Sequence, residues 1–392
     1  MGQKISYEDS LTVVTLTGGI TSANANEFQD ALADAPGDTD GIVLDARELE
    51  FISSAGLRVI LAAKKRCAGK TFRIINVSDD VMNVFEVTGF SEIMDISRAR
   101  RKFAFGDFVK IGAGACGEVF RIDDETIIKL YYPHILEEEI EREKALSKKA
   151  FVLGIPTAIS YDIVETNGRT GVIYELINSH TLGELMRAEG ADLEKYVTVY
   201  ADVCRQIHET EAKPGEIPTF KDLNRADIPR ITGISEEEKE YLYKFLDLVP
   251  DRLNCIHGDL NLNNIMVQNG ECCLIDMGEF STGIPEFDIS RIVFSMEFAA
   301  VEPGSFNSFY KMPQDLVTKI MHMFLNKYYG VDSLEEAIEK NPDVAWLYPL
   351  AWFRCCTSFL KGGAHWPEDK RPLAERLLRE KLIPFVQQRC GQ

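Results

Sequence analysis

The sequence predicts two domains: an amino-terminal α/β sandwich and a carboxy-terminal α+β domain of two lobes. Three observations carry this. Over residues 1–96, short apolar runs alternate with stretches of helical periodicity, the pattern of helices packed on a mixed sheet. From Phe105 onward, strand-like stretches come first and helices follow. Between the two, the basic cluster Arg98, Arg100, Arg101 and Lys102 breaks both periodicities, so 98–105 reads as a solvated linker between domains over 1–97 and 106–392. A chain of 392 residues has room for two or three domains of roughly 100–200 residues each.

In the first domain, residues 11–16 (LTVVTL) read as a strand. Residues 21–33 read as a helix with a cap-like Thr-Ser start, 42–44 as a short buried strand, 56–67 as a helix and 72–77 as a strand. A third short helix over 79–87 is closed by Gly89. In the second domain, strand-like stretches at about 107–131 and 159–177 flank a charged helix over 135–153, giving a β-rich lobe over about 106–180. The remainder, 181–392, is helical, with helices expected at 193–211, 235–248, 289–301, 313–328, 345–360 and 373–388. Ser235 and Glu238 form a capping box before the second of these. A β lobe followed by an α lobe leaves a cleft between them.

Composition narrows the function classes. Hydrophobic residues at 45% and charged residues at 27% match an ordinary globular protein. No apolar run of about 18 residues offers a membrane span, and the start MGQKISYEDS lacks a signal-peptide core, so a cytoplasmic protein is expected. The formal net charge of −19 repels phosphate backbones and argues against nucleic acid as a partner. The nine cysteines include two adjacent pairs and no C-x-x-C, which points away from zinc and toward reduced thiols.

The chemistry lies between residues 105 and 290. A glycine-rich run, GAGACGEV, places Gly112, Gly114 and Gly117 where a backbone can approach phosphate without an intervening side chain. Strand-like sequence follows at Val119, the context of a phosphate-covering flap, whereas a dinucleotide fold would need a helix there. Lys129 ends an apolar strand twelve residues after Gly117; it can reach the α and β phosphates of a nucleotide, or simply lie in solvent as strand-end lysines do. Glu143 is the acidic partner expected on the next helix. The run HGDLNLNN, from His257 to Asn264, puts a carboxylate, Asp259, five residues from a carboxamide in a loop between apolar segments. Such a pair can hold an acceptor hydroxyl and a metal. Asp276 ends the next apolar strand, and with Asn264 it supplies the hard oxygen ligands that suit Mg²⁺. Loop Asx residues can also serve local turns, but that explains one such residue and not four elements in this order.

Residues 106–290 resemble the kinase-like phosphotransferases, specifically the aminoglycoside-phosphotransferase and choline-kinase branch of the protein-kinase-like fold. The likeness rests on H-G-D-x-x-x-x-N, I-D-x-G, the following PEFD that ends at Asp288, and His208 closing a helix. It implies ATP and Mg²⁺ as cofactors, with Gly112, Gly114 and Gly117 over the phosphates and Lys129, paired with Glu143, on the α/β phosphates. Asp259 would orient and deprotonate the acceptor hydroxyl, Asn264 and Asp276 would hold Mg²⁺, and Glu175 and Ile177 would offer backbone groups to adenine. Asp288 would brace the catalytic loop. Gly258 stands where protein kinases carry an arginine, and only twelve residues separate Asp276 from Asp288, with no A-P-E after them. A peptide-docking segment hardly fits there, so a small hydroxylated acceptor is expected.

Residues 3–96, with DARELEFISSAGLRVI from Asp45, resemble the anti-sigma factor antagonist (STAS) domains. In that family the serine opening this helix accepts phosphate from a partner kinase. Ser54 is its counterpart by position, and Ser53 stands where the family often has Asp. A phosphate there would add charge at a helix N-terminus and alter a protein-binding surface; either serine could instead merely cap the helix. Two further readings stay open: a kinase acting on a protein serine, such as Ser54 of its own or another STAS domain, and a non-catalytic adaptor pairing an anti-sigma factor antagonist with a pseudokinase.

Overall fold

The computed structural model describes residues 2–8, 10–34, 39–114, 116–268, 270–298, 306–361 and 370–390. They fall into two compact units, Met1–Phe103 and Ala104–Gln392.

The first unit is a five-stranded sheet in the order β1-β2-β3-β4-β5: β1 Gly2–Glu8, β2 Leu11–Ile20, β3 Gly41–Ile52, β4 Thr71–Val77 and β5 Asp95–Arg98. β1 is antiparallel to β2, and the remaining pairs are parallel. Helices α1 Ala25–Asp34, α2 Ser54–Arg66, α3 Asp79–Val87 and the short α4 Phe90–Ile93 bury their apolar faces with Leu16, Ile42, Leu44, Phe28, Ile60 and Phe85. Three expectations need correction. β3 spans twelve residues, not three: in its later half pairs of exposed residues, Arg47–Glu48 and Glu50–Phe51, interrupt the period of two where the pairing with β2 shifts register, and that disguises a strand as a loop in sequence. α1 begins at Ala25 because Asn24, not the Thr-Ser pair, organises its start; Asn24 Oδ1 accepts from Thr21 N–H at 2.7 Å and Asn24 Nδ2 donates to Gly19 O at 2.9 Å. In the expected linker, Arg98 ends β5 and donates to Asp79 and Glu86, and Arg101–Lys102 forms a two-residue strand, β6.

The second unit opens with an antiparallel run in the order β10-β11-β9-β8-β7, built from β7 Val109–Ala113, β8 Gly117–Arg121, β9 Thr126–Tyr131, β10 Ser160–Thr166 and β11 Arg169–Glu175. Helix α5 Glu137–Val152 packs on it through Ile140, beside Tyr131, Val172 and Tyr174. After β12 His180–Thr181 and α6 Leu182–Arg187 come α7 Leu193–Glu209, α8 Phe220–Asp227 and α9 Glu236–Leu248. The capping box at Ser235 and Glu238 forms as expected. β13 Cys255–Ile256 and β16 Ser281–Thr282 then pair with each other around a hairpin of β14 Ile265–Gln268 and β15 Glu271–Leu274 that adds to β12, and α10 Glu286–Val293 follows. β17 Phe306–Asn307 and β18 Met312–Pro313 precede α11 Gln314–Tyr329, α12 Leu334–Lys340, α13 Leu347–Phe359, α14 Arg371–Leu377 and α15 Ile383–Cys390. The end of the helix expected over 289–301 lies outside the described residues. Among the described residues, no helix is long and apolar enough to cross a membrane.

Two apolar cores hold this helical part together, one around Tyr200, Ile207, Leu260 and Phe324, the other around Phe245, Phe353 and Leu350. The loop from His257 to Asn264 hangs from both: Leu260 and Leu262 belong to the first core, and Ile256 just before the loop belongs to the second.

Candidate active site

β9 lies inside its sheet, pairing Lys129 with Val119 on one side and Val172 on the other. That register fixes the direction of the Lys129 side chain. Its Nζ donates to Glu143 Oε1 of α5 at 2.7 Å and to Asp276 Oδ1 at 3.0 Å. Glu143 is 7% exposed and is also held by Tyr174 Oη at 3.2 Å. Burial works against the Lys129 ammonium, but Asp276 and Glu143 outweigh it and hold its pKa above the ordinary lysine value. The same contact holds the Asp276 carboxyl below its ordinary value, the Lys129 charge being the largest cause.

Asp259 and Asn264 form the second half of the site. Asn264 Nδ2 donates to Asp259 O at 2.9 Å and to Asp259 Oδ2 at 3.1 Å; Asn261 Nδ2 reaches Asp259 Oδ1 at 3.2 Å. The two halves are stitched together by the Ile275 N–H, which donates to Asn264 O at 3.0 Å one residue before Asp276. Lys129, Glu143 and Asp276 form one hydrogen-bonded group and Asp259 and Asn264 another, joined through the Ile275–Asn264 backbone bond and the peptide that links Ile275 to Asp276.

The glycines divide by function. A Cβ on Gly117 would stand 2.5 Å from Leu130 O, so this residue is glycine because two strands meet there. A Cβ on Gly114 would meet nothing within 4 Å among the described residues, and one on Gly112 only Val119 Cβ at 3.8 Å. Those two are free to face a ligand. Gly258 has φ 87°, and a Cβ there would stand 2.5 Å from Glu279 O. Any side chain at this point of the loop is both strained and obstructed, which is why no arginine stands beside Asp259 in the chain.

Asp288 sits beneath the loop with no solvent exposure. It accepts from His257 N–H and Gly258 N–H, both at 2.7 Å, and from His208 Nε2 at 3.1 Å. Burial pushes its carboxyl up; the His208 bond and charge, then His257, outweigh that and hold it below the ordinary value. Tyr328 Oη lies 2.7 Å from the other His208 nitrogen, so the ring is fixed from both sides.

Glu175 and Ile177 lie at the end of β11 and just after it. The Glu175 N–H donates to Ile159 O at 3.0 Å, and the Ile177 carbonyl accepts from Ser179 N–H at 2.9 Å. Ser54 is the first residue of α2 and is exposed; Ser53 provides the cap, its hydroxyl accepting from Gly56 N–H at 3.3 Å.

Two groups escaped the sequence reading. Arg291 of α10 donates through Nε to Asp259 Oδ1. Glu279 lies beside Asp259, and its carboxyl is raised first by burial and then by the Asp259 charge. A third unexpected group, Glu286, opens α10 at 2% exposure with Oε2 lacking a partner among the described residues. Burial raises its pKa to about 7. A carboxyl raised on folding destabilises the fold as pH climbs past its unfolded value, so the penalty is absent near pH 4 and complete above pH 7. Glu286→Gln is therefore expected to be neutral at pH 4.5 and to stabilise by up to about 3 kcal/mol at pH 8. Thermal melts at the two pH values check this, and an equal effect at both would refute it.

A family model for the phosphotransferase enzyme family matches residues 107–310, and one for the STAS domain matches residues 4–102. The chain belongs to the phosphotransferase enzyme family: it is a kinase-like phosphotransferase acting on an alcohol group, joined to an amino-terminal STAS domain. The anti-sigma factor antagonist BtrV of Bordetella bronchiseptica is 32% identical over 99 residues, 24% of this chain and 85% of that protein. Among solved structures, the ADP-bound aminoglycoside phosphotransferase APH(2'')-Ib matches at 14% identity and TM-score 0.45, covering 71% of this chain and 93% of that one. A choline/ethanolamine kinase family protein from Mesorhizobium loti matches at 11% identity and TM-score 0.43, covering 72% and 93%.

Proposed function

We propose that the carboxy-terminal unit transfers the γ-phosphoryl group of ATP, with Mg²⁺, to a hydroxyl of a small molecule, and that the STAS domain is its protein-interaction and regulatory module. The observation that carries this is the bonding of Lys129 to Glu143 and Asp276 next to the Asp259–Asn264 pair. Lys129, held charged, neutralises the α/β phosphates. Gly112 and Gly114 let the flap close over them. The Glu175 carbonyl and the Ile177 N–H would face adenine, the Glu175 N–H being taken by Ile159 and the Ile177 carbonyl by Ser179. Asp259 orients the acceptor hydroxyl and takes its proton.

The donor set fits Mg²⁺. Asp276 offers a carboxylate held ionised, and Asn264, whose amide nitrogen is committed to Asp259, turns its oxygen to the remaining direction. The ion would neutralise charge on the transferring phosphoryl group. Small acceptors are favoured over proteins because Asp288 follows Asp276 by only twelve positions, which leaves no room for a peptide-docking segment.

Ser54 is the proposed phosphoacceptor of the STAS domain, because Ser53 alone fills the cap and leaves the Ser54 hydroxyl exposed. The test is incubation of the full chain with labelled ATP and Mg²⁺. ADP release stimulated by a library of alcohols and amino sugars, and abolished by Asp259→Ala, supports the main reading. Label on Ser54 that Asp259→Ala removes would shift it to a protein-serine kinase. Nucleotide binding without turnover under any condition would refute catalysis.

A further inference from the structure

α10 carries a cation into the acceptor side of the site. Arg291 donates through Nε to Asp259 Oδ1, and its guanidinium is flanked by the Phe294 ring at 4.9 Å and the Phe309 ring at 5.9 Å. The two rings hold the plane in place. Among the described residues, Asp259 is the only hydrogen-bond partner of this side chain, which is 11% exposed. Its terminal N–H groups are thus pre-oriented donors beside the carboxylate to which an acceptor hydroxyl would bond.

Arg354, the other nearby cation, is not available in this way. It is buried under the loop, donating to Gly258 O at 2.8 Å and Phe287 O at 2.9 Å. Glu279 also lies beside Asp259, its carboxyl raised first by burial and then by the Asp259 charge. A fixed guanidinium next to the base opposes an ammonium on the acceptor and favours an anion, which it can grip with two parallel N–H bonds.

We infer that Arg291 is a specificity-determining residue that selects an acceptor bearing a phosphate or carboxylate close to its reactive hydroxyl. This rests on the phosphotransfer reading above and deepens it: the acceptor class is an anionic alcohol rather than a cationic amino sugar or amino alcohol.

The experiment follows thermal melting of the full chain with sn-glycerol 3-phosphate, glycerate, glycerol, ethanolamine and choline, with sodium sulfate matching ionic strength. Each is measured with and without MgADP, so a failed nucleotide site appears as a missing MgADP shift while the acceptor side can still be read. Glycerol 3-phosphate or glycerate should raise Tm by roughly 2 °C or more at ten times Kd, with glycerol, ethanolamine and choline inert. Arg291→Met should lose that response while keeping the MgADP shift. If Arg291→Met does not fold, Arg291→Lys carries the comparison: a point charge without the planar fork should weaken the anion's apparent affinity at least about threefold. Stabilisation by the ammonium compounds, no response to either anion, or wild-type anion binding in the variants would each overturn the inference. So would an Arg291→Met enzyme that slows ATP turnover equally for every acceptor while binding anions normally, because the guanidinium would then serve the transferring phosphoryl group.

Discussion

Replacing Asp259 with Asn is expected to lower kcat by about 10²–10⁴-fold while leaving nucleotide affinity nearly unchanged. The carboxylate oxygens receive three donors, Arg291 Nε and Asn261 Nδ2 on Oδ1 and Asn264 Nδ2 on Oδ2. A carboxamide can satisfy only one side of that arrangement, because its NH₂ group must face a donor. It also cannot take the acceptor's proton. The nucleotide contacts proposed for Lys129 and the glycine turn lie on other elements, so the substitution should leave them undisturbed. ADP release measured against acceptor concentration, alongside a thermal shift with MgADP, separates the two effects. Turnover within about threefold of wild type would remove Asp259 from the chemistry.

Asp288→Ala is expected to be the most destabilising single change, at about 3–5 kcal/mol in the carboxy-terminal unit. The substitution strands the His257 and Gly258 N–H groups without an acceptor and leaves His208 facing a void inside the protein. Each stranded buried donor costs about 1–3 kcal/mol. Asp288→Asn, which keeps one acceptor oxygen, should lose less. Urea unfolding followed with a probe in the carboxy-terminal unit is the measurement, since two domains need not unfold in one step. A loss under about 1 kcal/mol for the alanine variant would show that the loop is held by its apolar anchors, Leu260 and Leu262, and not by the carboxylate.

What the sequence revealed and concealed follows from the range of the forces involved. Lys129, Asp259, Asn264 and Asp276 were legible because each is a polar residue interrupting or ending an apolar run, a signal confined to a few neighbouring positions. α9 was legible for the same reason, its cap at Ser235 being complete within four residues. Arg291 was not. It sits in an apolar helix with nothing local to mark it, and its meaning comes from Asp259, 32 residues away in the chain. β1 and β5 were missed because an edge strand needs few buried side chains: three of the four residues of β5 are charged or hydroxylated. α8 escaped because its single buried residue, Phe220, gives no periodicity to detect. The length of β3 was hidden by its broken alternation, in which Asp45, Arg47 and Glu48 look like loop residues until the sheet is built.

Asp276 adopts a left-handed backbone conformation, φ 65° and ψ 60°, which no glycine relieves. A residue held this way stores about 1–3 kcal/mol of strain, and the surroundings must outweigh it. Lys129 is one of those surroundings, since its ammonium ties the Asp276 carboxylate in place. An enzyme carrying methionine at position 129 would therefore forfeit a positive charge and at the same time unlatch a wound spring that it touches directly. Its lost activity would mix weak nucleotide binding with a misplaced carboxylate, so Lys129 substitutions are poor gauges of phosphate recognition in this protein.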